Sequence, residues 1–295
     1  MKDQRSTNAS RPSAHNFPHS ALAELLLALA DDEFVTGYAN SEWTGIAPLL
    51  EEDIAFSSLA QDELGHARLL YELLAELQAT EQGQCGLGDE DSASRIAHRV
   101  SPDGLAYSRA PSGFRHARLA ERPRGDWAYS VSRQFLYDTA DYIRLESLCR
   151  SAYLPLADAM SSIIREEKYH LLHAHTWLER LAAGGAEARG RQRAAFEALW
   201  PDALGLFEPL DGEAELLEAG ILPDSFAALR DRWLSSIAEP LRRLELPFPF
   251  AQGDRGWQAL AAPEYGGRRG EHSESFMNLY AAITSVYRLD PQAQW

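Results

Sequence analysis

Two Glu-x-x-His pairs interrupt apolar helical stripes in this sequence. Glu63 and His66 break the stripe of Leu59, Leu70 and Leu73, and Glu167 and His170 break that of Met160, Ile163, Ile164, Ala174 and Leu178. A spacing of three turns both side chains of a pair to one side of a helix. Two further acids continue apolar faces: Glu33 follows Leu22, Leu26 and Leu29, and Asp138 follows Trp127, Val131, Gln134 and Phe135. Four carboxylates gathered in a core cannot all stay ionised without a counter-charge. No Lys or Arg is expected in register on these faces, so the counter-charge the pattern asks for is metal. Carboxylate oxygens and two imidazoles suit iron or manganese.

A lone Glu-x-x-His is a weak signal, more often a solvated pair than a ligand pair. Spacing strengthens it. Glu33 and Glu63 are 30 residues apart and Asp138 and Glu167 are 29 apart, each pair centred on an expected turn, near Pro48 and near Ala152–Tyr153. In an antiparallel hairpin, residues equidistant from the turn lie level, here roughly 22 Å up each arm. One Glu or Asp from each of two helices plus Glu-x-x-His from two others is the ligand plan of ferritin-like dimetal bundles. The expected metal ligands are therefore Glu33, Glu63, His66, Asp138, Glu167 and His170. Asp141 and Glu146 are rival acids on the third helix, and level favours Asp138. Asp31 and Asp32 are expected to be solvated, Asp62 and Glu166 to be exposed or to support the site from outside, and His173 and His175 to be ordinary helix residues. Gly65 offers either access or close helix packing.

The elements that would carry these residues are all helical. Residues 1–17 are polar and read as a disordered tail, followed by one ferritin-like helical domain over 18–295. Apolar periodicity marks core helices at about 20–41, 49–79, 126–151 and 155–183, the last stopped by Gly184-Gly185. Residues 81–125 read as a long crossover with local turns at Ser101–Gly104 and Pro111–Gly113. The extension 187–295 holds helices near 187–207, 223–244 and 273–288, and no strand pair is expected. The fold class is all-α: a ferritin-like four-helix bundle with additional C-terminal helices.

Composition bounds the function. The chain of 295 residues is 45% hydrophobic, ample for a core, and its net charge of −16 argues against a nucleic-acid partner. No apolar run reaches the length of a membrane span, and no signal-peptide order is seen, so a cytoplasmic protein is expected. The two cysteines give neither a disulfide framework nor an iron–sulfur set, and there is no dinucleotide fingerprint.

At these same residues the sequence resembles the ferritin-like subunits of the bacterial phenylacetyl-CoA epoxidase (phenylacetate-CoA oxygenase). E-W-T-G-I-A-P-L-L-E-E-D-I-A, beginning at Glu42, and D-E-L-G-H-A-R-L-L, beginning at Asp62, resemble both large subunits. C-R-S-A-Y-L-P-L-A-D-A-M, E-E-K-Y-H and the placement of Asp138 resemble the catalytic A type. Y-H-L-L-H-A-H-T-W-L-E-R-L, R-R-G-E-H-S-E and the terminal P-Q-A-Q-W resemble the C type. The chain is identified as a member of the C-type branch that retains the ligand set which C-type subunits usually lose in part.

The resemblance implies a multicomponent oxygenase that epoxidises the ring of an acyl-CoA such as phenylacetyl-CoA at a di-iron centre. NADPH electrons would arrive through a separate reductase. It further implies two partners: a homologous ferritin-like catalytic subunit, with a small accessory subunit beside it. Two other readings stay open: a non-catalytic structural subunit of the same complex, and ferritin-like iron oxidation or storage.

Overall fold

The computed structural model describes residues 17–84, 101–254 and 256–291. The expected N-terminal tail lies outside the described residues apart from its last member. The order of elements is α1 (His19–Ser41), α2 (Leu50–Gln84), α3 (Pro102–Tyr107), α4 (Trp127–Leu148), α5 (Leu154–Ala182), α6 (Ala186–Gly205), α7 (Glu213–Glu218), α8 (Phe226–Arg243), β1 (Phe250–Gly253), β2 (Gly256–Ala259) and α9 (Glu274–Ile283). Helices α1 and α2 form one hairpin and α4 and α5 another, and α2 packs on α5 to join them. This is the expected all-α, ferritin-like bundle. α6 and α8 cover the outer side of α4.

Local chemistry explains the boundaries. In the α1–α2 turn the Gly45 amide donates to the Asp53 carboxylate at 2.9 Å, and Glu51, Glu52 and Asp53 supply negative charge to the first turn of α2. Asp126 caps α4 by accepting from the Tyr129 amide, and Ser225 caps α8 by accepting from the Ala228 amide. Pro155 sits in the first turn of α5, where its missing N–H costs nothing.

α1 is buried on all sides. Leu22, Leu25, Leu26 and Leu29 are each 3% exposed or less, which stabilises the fold by roughly 1.5–3 kcal/mol apiece. A helix enclosed in this way carries its polar residues into the core as well. Asp31, Asp32 and Glu33 are all buried, which corrects the expectation that the first two are solvated. Gly37, one turn beyond Glu33, makes the close approach possible. A Cβ there would meet the Glu63 Cβ at 3.1 Å and the Ala60 carbonyl oxygen at 3.1 Å. Gly65 is exposed and a Cβ there would meet nothing within 4 Å, so no packing within the chain requires a glycine at this position.

Three further expectations need correction. Phe250–Gly253 pairs antiparallel with Gly256–Ala259, with Phe250 opposite Ala259, where no strand pair was expected. The Ser101 turn is the capped start of a six-residue helix, and the short α7 carried too little periodicity to read. The last helix ends at Ile283, and a separate 3₁₀ turn follows at Tyr287–Leu289.

The C-terminal segment folds back onto residues 112–121. A Cβ on Gly267 would lie 2.3 Å from the His116 carbonyl oxygen, so only glycine lets the two backbones touch. Glu121 clasps the segment. It accepts from the Ser273 amide at 2.8 Å, and one of its oxygens lies 2.9 Å from both His116 Nε2 and His272 Nδ1. The two imidazoles stack with centroids 4.1 Å apart and planes 11° from parallel. Their in-plane lone pairs therefore cannot converge well on one ion, and the trio reads as a hydrogen-bonded clasp. Among the described residues no helix is long and apolar enough to cross a membrane.

Candidate metal centre

Helices α1, α2, α4 and α5 each turn acids inward at one height. Donor atoms of Glu33, Glu63, His66 and Glu167 lie within 4.8 Å of one another, and all four side chains are buried. His66 Nδ1 is 3.7 Å from Glu33, 3.6 Å from Glu63 and 3.5 Å from Glu167. His170 joins from the other side, with Nδ1 3.0 Å from Glu167 and 3.5 Å from Glu63. Asp138 lies outside the tight cluster but is fully buried, and the nearby Glu167 and Glu63 carboxylates repel its charge. The structure thus gathers five of the six sequence-predicted ligands closely and sets the sixth beside them.

The outward nitrogens are held by exposed acids in a crossed pattern. His66 Nε2, from α2, is 2.9 Å from Glu166 on α5; His170 Nε2, from α5, is 3.3 Å from Asp62 on α2. Each outer acid immediately precedes the Glu of its own motif and serves the histidine of the opposite one. An acceptor on Nε2 fixes the proton there and turns Nδ1 inward, a common way to orient a metal-binding imidazole. Asp62 and Glu166 are thus both partly exposed, and each contacts a buried histidine from the outer side of the cluster.

The inward atoms are short of partners. Glu33 Oε2, Glu63 Oε2, Glu167 Oε1, Asp138 Oδ2, His66 Nδ1 and His170 Nδ1 are all buried without a hydrogen bond. Six such atoms around one spot would be costly if nothing bound there. The buried Glu/His cluster could hold a metal, and its oxygen and imidazole donors fit iron.

Sequence reasoning missed the arginines. Arg144 is buried on α4, and its guanidinium donates to Asp32 at 2.6 Å and to Asp141 at 3.0 Å and passes 3.6 Å from Glu33. This overturns the expectation that no cation stands in register. Arg268, from the C-terminal segment, forks onto both Asp32 oxygens at 2.8 Å, and Arg109 pairs with Asp31. Arg144 and Arg268 thus balance Asp32 and Asp141, while Arg109 balances Asp31. Glu33, Glu63, Asp138 and Glu167 have no arginine hydrogen-bonded to them; fully ionised, they would carry four negative charges, which two divalent ions would neutralise. Tyr137 supports the group by donating to Glu33 at 3.1 Å. His173, 2.7 Å from Glu52, and His175, packed edge-on to Phe135, stay outside it as expected.

Electrostatics set a pH test. Burial and the neighbouring Asp141 and Glu63 carboxylates push the Glu33 carboxyl well above its usual range. Burial and Glu63 raise Glu167 to about 7. Burial disfavours a charged ring at His66, yet Glu33 and Glu63 overcome it and raise that imidazole to about 12; Glu167 and Glu63 likewise raise His170. The metal-free site therefore keeps protons at neutral pH. A metal held by the Glu167 carboxylate and by Nδ1 of both rings would displace them, so uptake should release protons and affinity should rise through about pH 7, where Glu167 titrates, and keep rising above it as the imidazole protons become easier to remove. Cobalt(II) calorimetry in buffers of different ionisation enthalpy measures this release. Binding with no proton release would contradict the assignment of both histidines.

Comparisons with known proteins identify relatives of the whole chain. The family model described as "Phenylacetic acid catabolic protein" matches residues 8–295. The chain is 30% identical to the C-type subunit of 1,2-phenylacetyl-CoA epoxidase from Escherichia coli (strain K12) over 274 residues, 93% of this chain and 99% of that protein. It is 28% identical to the A-type subunit of the same organism's epoxidase over 182 residues, 62% of this chain and 52% of that protein.

Proposed function

Because the chain belongs to the phenylacetic acid catabolic protein family, we propose that it is a metal-binding subunit of a multicomponent oxygenase that epoxidises the aromatic ring of phenylacetyl-CoA. One observation carries this reading: the inward, unpartnered donors of Glu33, Glu63, His66, Asp138, Glu167 and His170 lie in a chain that aligns with nearly all of a C-type epoxidase subunit. These six residues would hold two iron ions, and manganese suits the same donors. Bound iron supplies the redox chemistry that activates dioxygen. The chain's own residues do the rest. Asp62 and Glu166 keep the histidine Nε2 protons outward, Tyr137 orients Glu33, and the packed α1 excludes water.

The net reaction places one oxygen atom on the ring and releases the other as water, with two electrons from NADPH. The sequence has only two cysteines and no dinucleotide fingerprint, so those electrons need a separate reductase. The complex is completed by a homologous ferritin-like catalytic subunit, with a small accessory subunit, and it works on a CoA thioester in the cytoplasm.

The second reading is a structural subunit whose partner does the chemistry, favoured by the near-complete alignment with the C-type rather than the A-type relative. Reconstitution with an A-type partner and a reductase separates the two. The isolated chain should not oxidise NADPH, and the complex should show phenylacetyl-CoA-dependent oxygen uptake. The His66→Ala/His170→Ala variant should assemble normally and lose product formation. Full assembly with undiminished product would assign turnover to the partner and end the catalytic reading for this chain.

A further inference from the structure

Helix α4 offers the metal centre two acids one turn apart. Asp138 and Asp141 are both almost fully buried, and each has one oxygen, Oδ2 in both, with no hydrogen bond. By residue type either would serve as the ligand from this helix. They differ in what holds the other oxygen. Asp141 Oδ1 accepts from both Nε and Nη2 of Arg144, one turn further along α4, with the Nε contact at 3.0 Å.

That arginine is not free to leave. Its Nη1 donates to Asp32 Oδ2 at 2.6 Å. Asp32 is itself fixed by the Arg268 fork and by the Ala117 amide at 2.8 Å. The Arg268 guanidinium also donates to the Arg115 carbonyl at 2.8 Å, so it is anchored to the backbone of the loop that α1 packs against. Arg144 is therefore stretched between two buried carboxylates, with its planar fork fitted to Asp141. Its closest approach to a metal-facing acid is 3.6 Å, to Glu33, which places the Arg144–Asp141 pair at the edge of the cluster.

We propose that Arg144 is a positioning residue that sorts these two acids: by holding Asp141 it leaves Asp138 as the ligand from α4, and Asp141 is a latent ligand that takes over when Asp138 and Arg144 are both removed. This rests on the dimetal reading above. An ionised carboxylate paired to a guanidinium has part of its charge already satisfied, and swinging its free oxygen onto a metal would strain the two hydrogen bonds that hold the other oxygen. Asp138 has no cation bound to it and needs to break no such pair. The same arrangement explains how a helix can carry a spare acid beside a metal pair without over-ligating it.

Cobalt(II) titration of the full chain, followed by stoichiometry and by visible d–d absorption, tests the sorting. Wild type should bind about two ions and Asp138→Asn about one. Asp141→Asn, nearly isosteric and still able to accept from Arg144, should keep about two. Asp138→Asn/Arg144→Met should recover the second ion with an altered spectrum, and adding Asp141→Asn to that pair should lose it again. Circular dichroism monitors folding. If the methionine variant unfolds, Arg144→Lys, which keeps a charge on Asp32 but loses the fork, replaces it in the same series. A double variant that binds no more than Asp138→Asn overturns the proposal, as does loss of an ion from Asp141→Asn alone. Wild-type protein that binds no cobalt would instead overturn the dimetal reading itself, and the sorting with it.

Discussion

Replacing Glu63 or Glu167 by alanine is expected to cut bound iron from about two ions per chain to well under one. These two acids sit between the halves of the site. Glu63 lies 3.6 Å from His66 and 3.5 Å from His170, and Glu167 lies 3.5 Å and 3.0 Å from the same two rings. Glu33 approaches only His66, at 3.7 Å. Losing either central acid therefore weakens both positions, whereas Glu33→Ala should spare one. The effect should exceed the roughly 10–100-fold in affinity that follows loss of a partner behind a ligand, such as Asp62 or Glu166. Removing one member of a crowded carboxylate group also relieves repulsion, so the variants should remain folded. Metal analysis after anaerobic iron loading measures the change, and unchanged iron in both variants would remove the basis for a shared pair.

The largest effect on stability is expected at Asp32. This carboxylate is fully buried, and it accepts from Arg144, Arg268 and the Ala117 amide. Both guanidiniums hold it below the usual carboxylate range against the upward push of burial. Asp32→Ala would leave Arg268 buried with only carbonyl partners, and Arg144 with Asp141 and, at 3.6 Å, Glu33. Breaking a buried ion pair from one side costs about 3–5 kcal/mol, because the remaining charge is stranded. On a chain of this size that is a fall in Tm of roughly 10 °C. The exposed Glu197→Ala, as a control, should change stability by less than about 0.5 kcal/mol. Urea or thermal unfolding of the two variants decides it, and equal curves would show that the arginines need no counter-ion.

These two sites also mark what could be read from the sequence. Glu63, His66, Glu167 and His170 stood out because each interrupts an apolar stripe, and Glu33 because equal arm lengths set it level with Glu63. Those are local signals with a fixed period, and the bundle preserved them. Asp31 and Asp32 looked solvated because nothing near them in sequence could neutralise them. Their partners come from far along the chain: Arg109 is 78 residues from Asp31, and Arg144 and Arg268 are 112 and 236 residues from Asp32. Such pairings exist only after the fold closes. Arg144 was hidden for a further reason, since a long side chain reaches acids that its own position on the helical face does not suggest. Gly65 drew notice by sitting next to His66, whereas the glycine that lets α1 meet α2 is Gly37, whose need for a missing Cβ depends on the facing helix. The strand pair Phe250–Gly253 and Gly256–Ala259 had a visible cue in Gly253 and Gly256, but two four-residue strands are too short to rise above the helical background.

The proposed function rests on whether Glu33, Glu63, His66, Asp138, Glu167 and His170 hold a pair of iron ions. Mössbauer spectroscopy of the purified, oxidised protein loaded with isotopically enriched iron tests it most directly, together with the iron content of the same sample. A pair of irons held within one cluster of acids predicts about two irons per chain and a diamagnetic ground state at low temperature, because two ferric ions so close together would couple antiferromagnetically. Magnetically isolated ferric ions, or less than about one iron per chain, would contradict it.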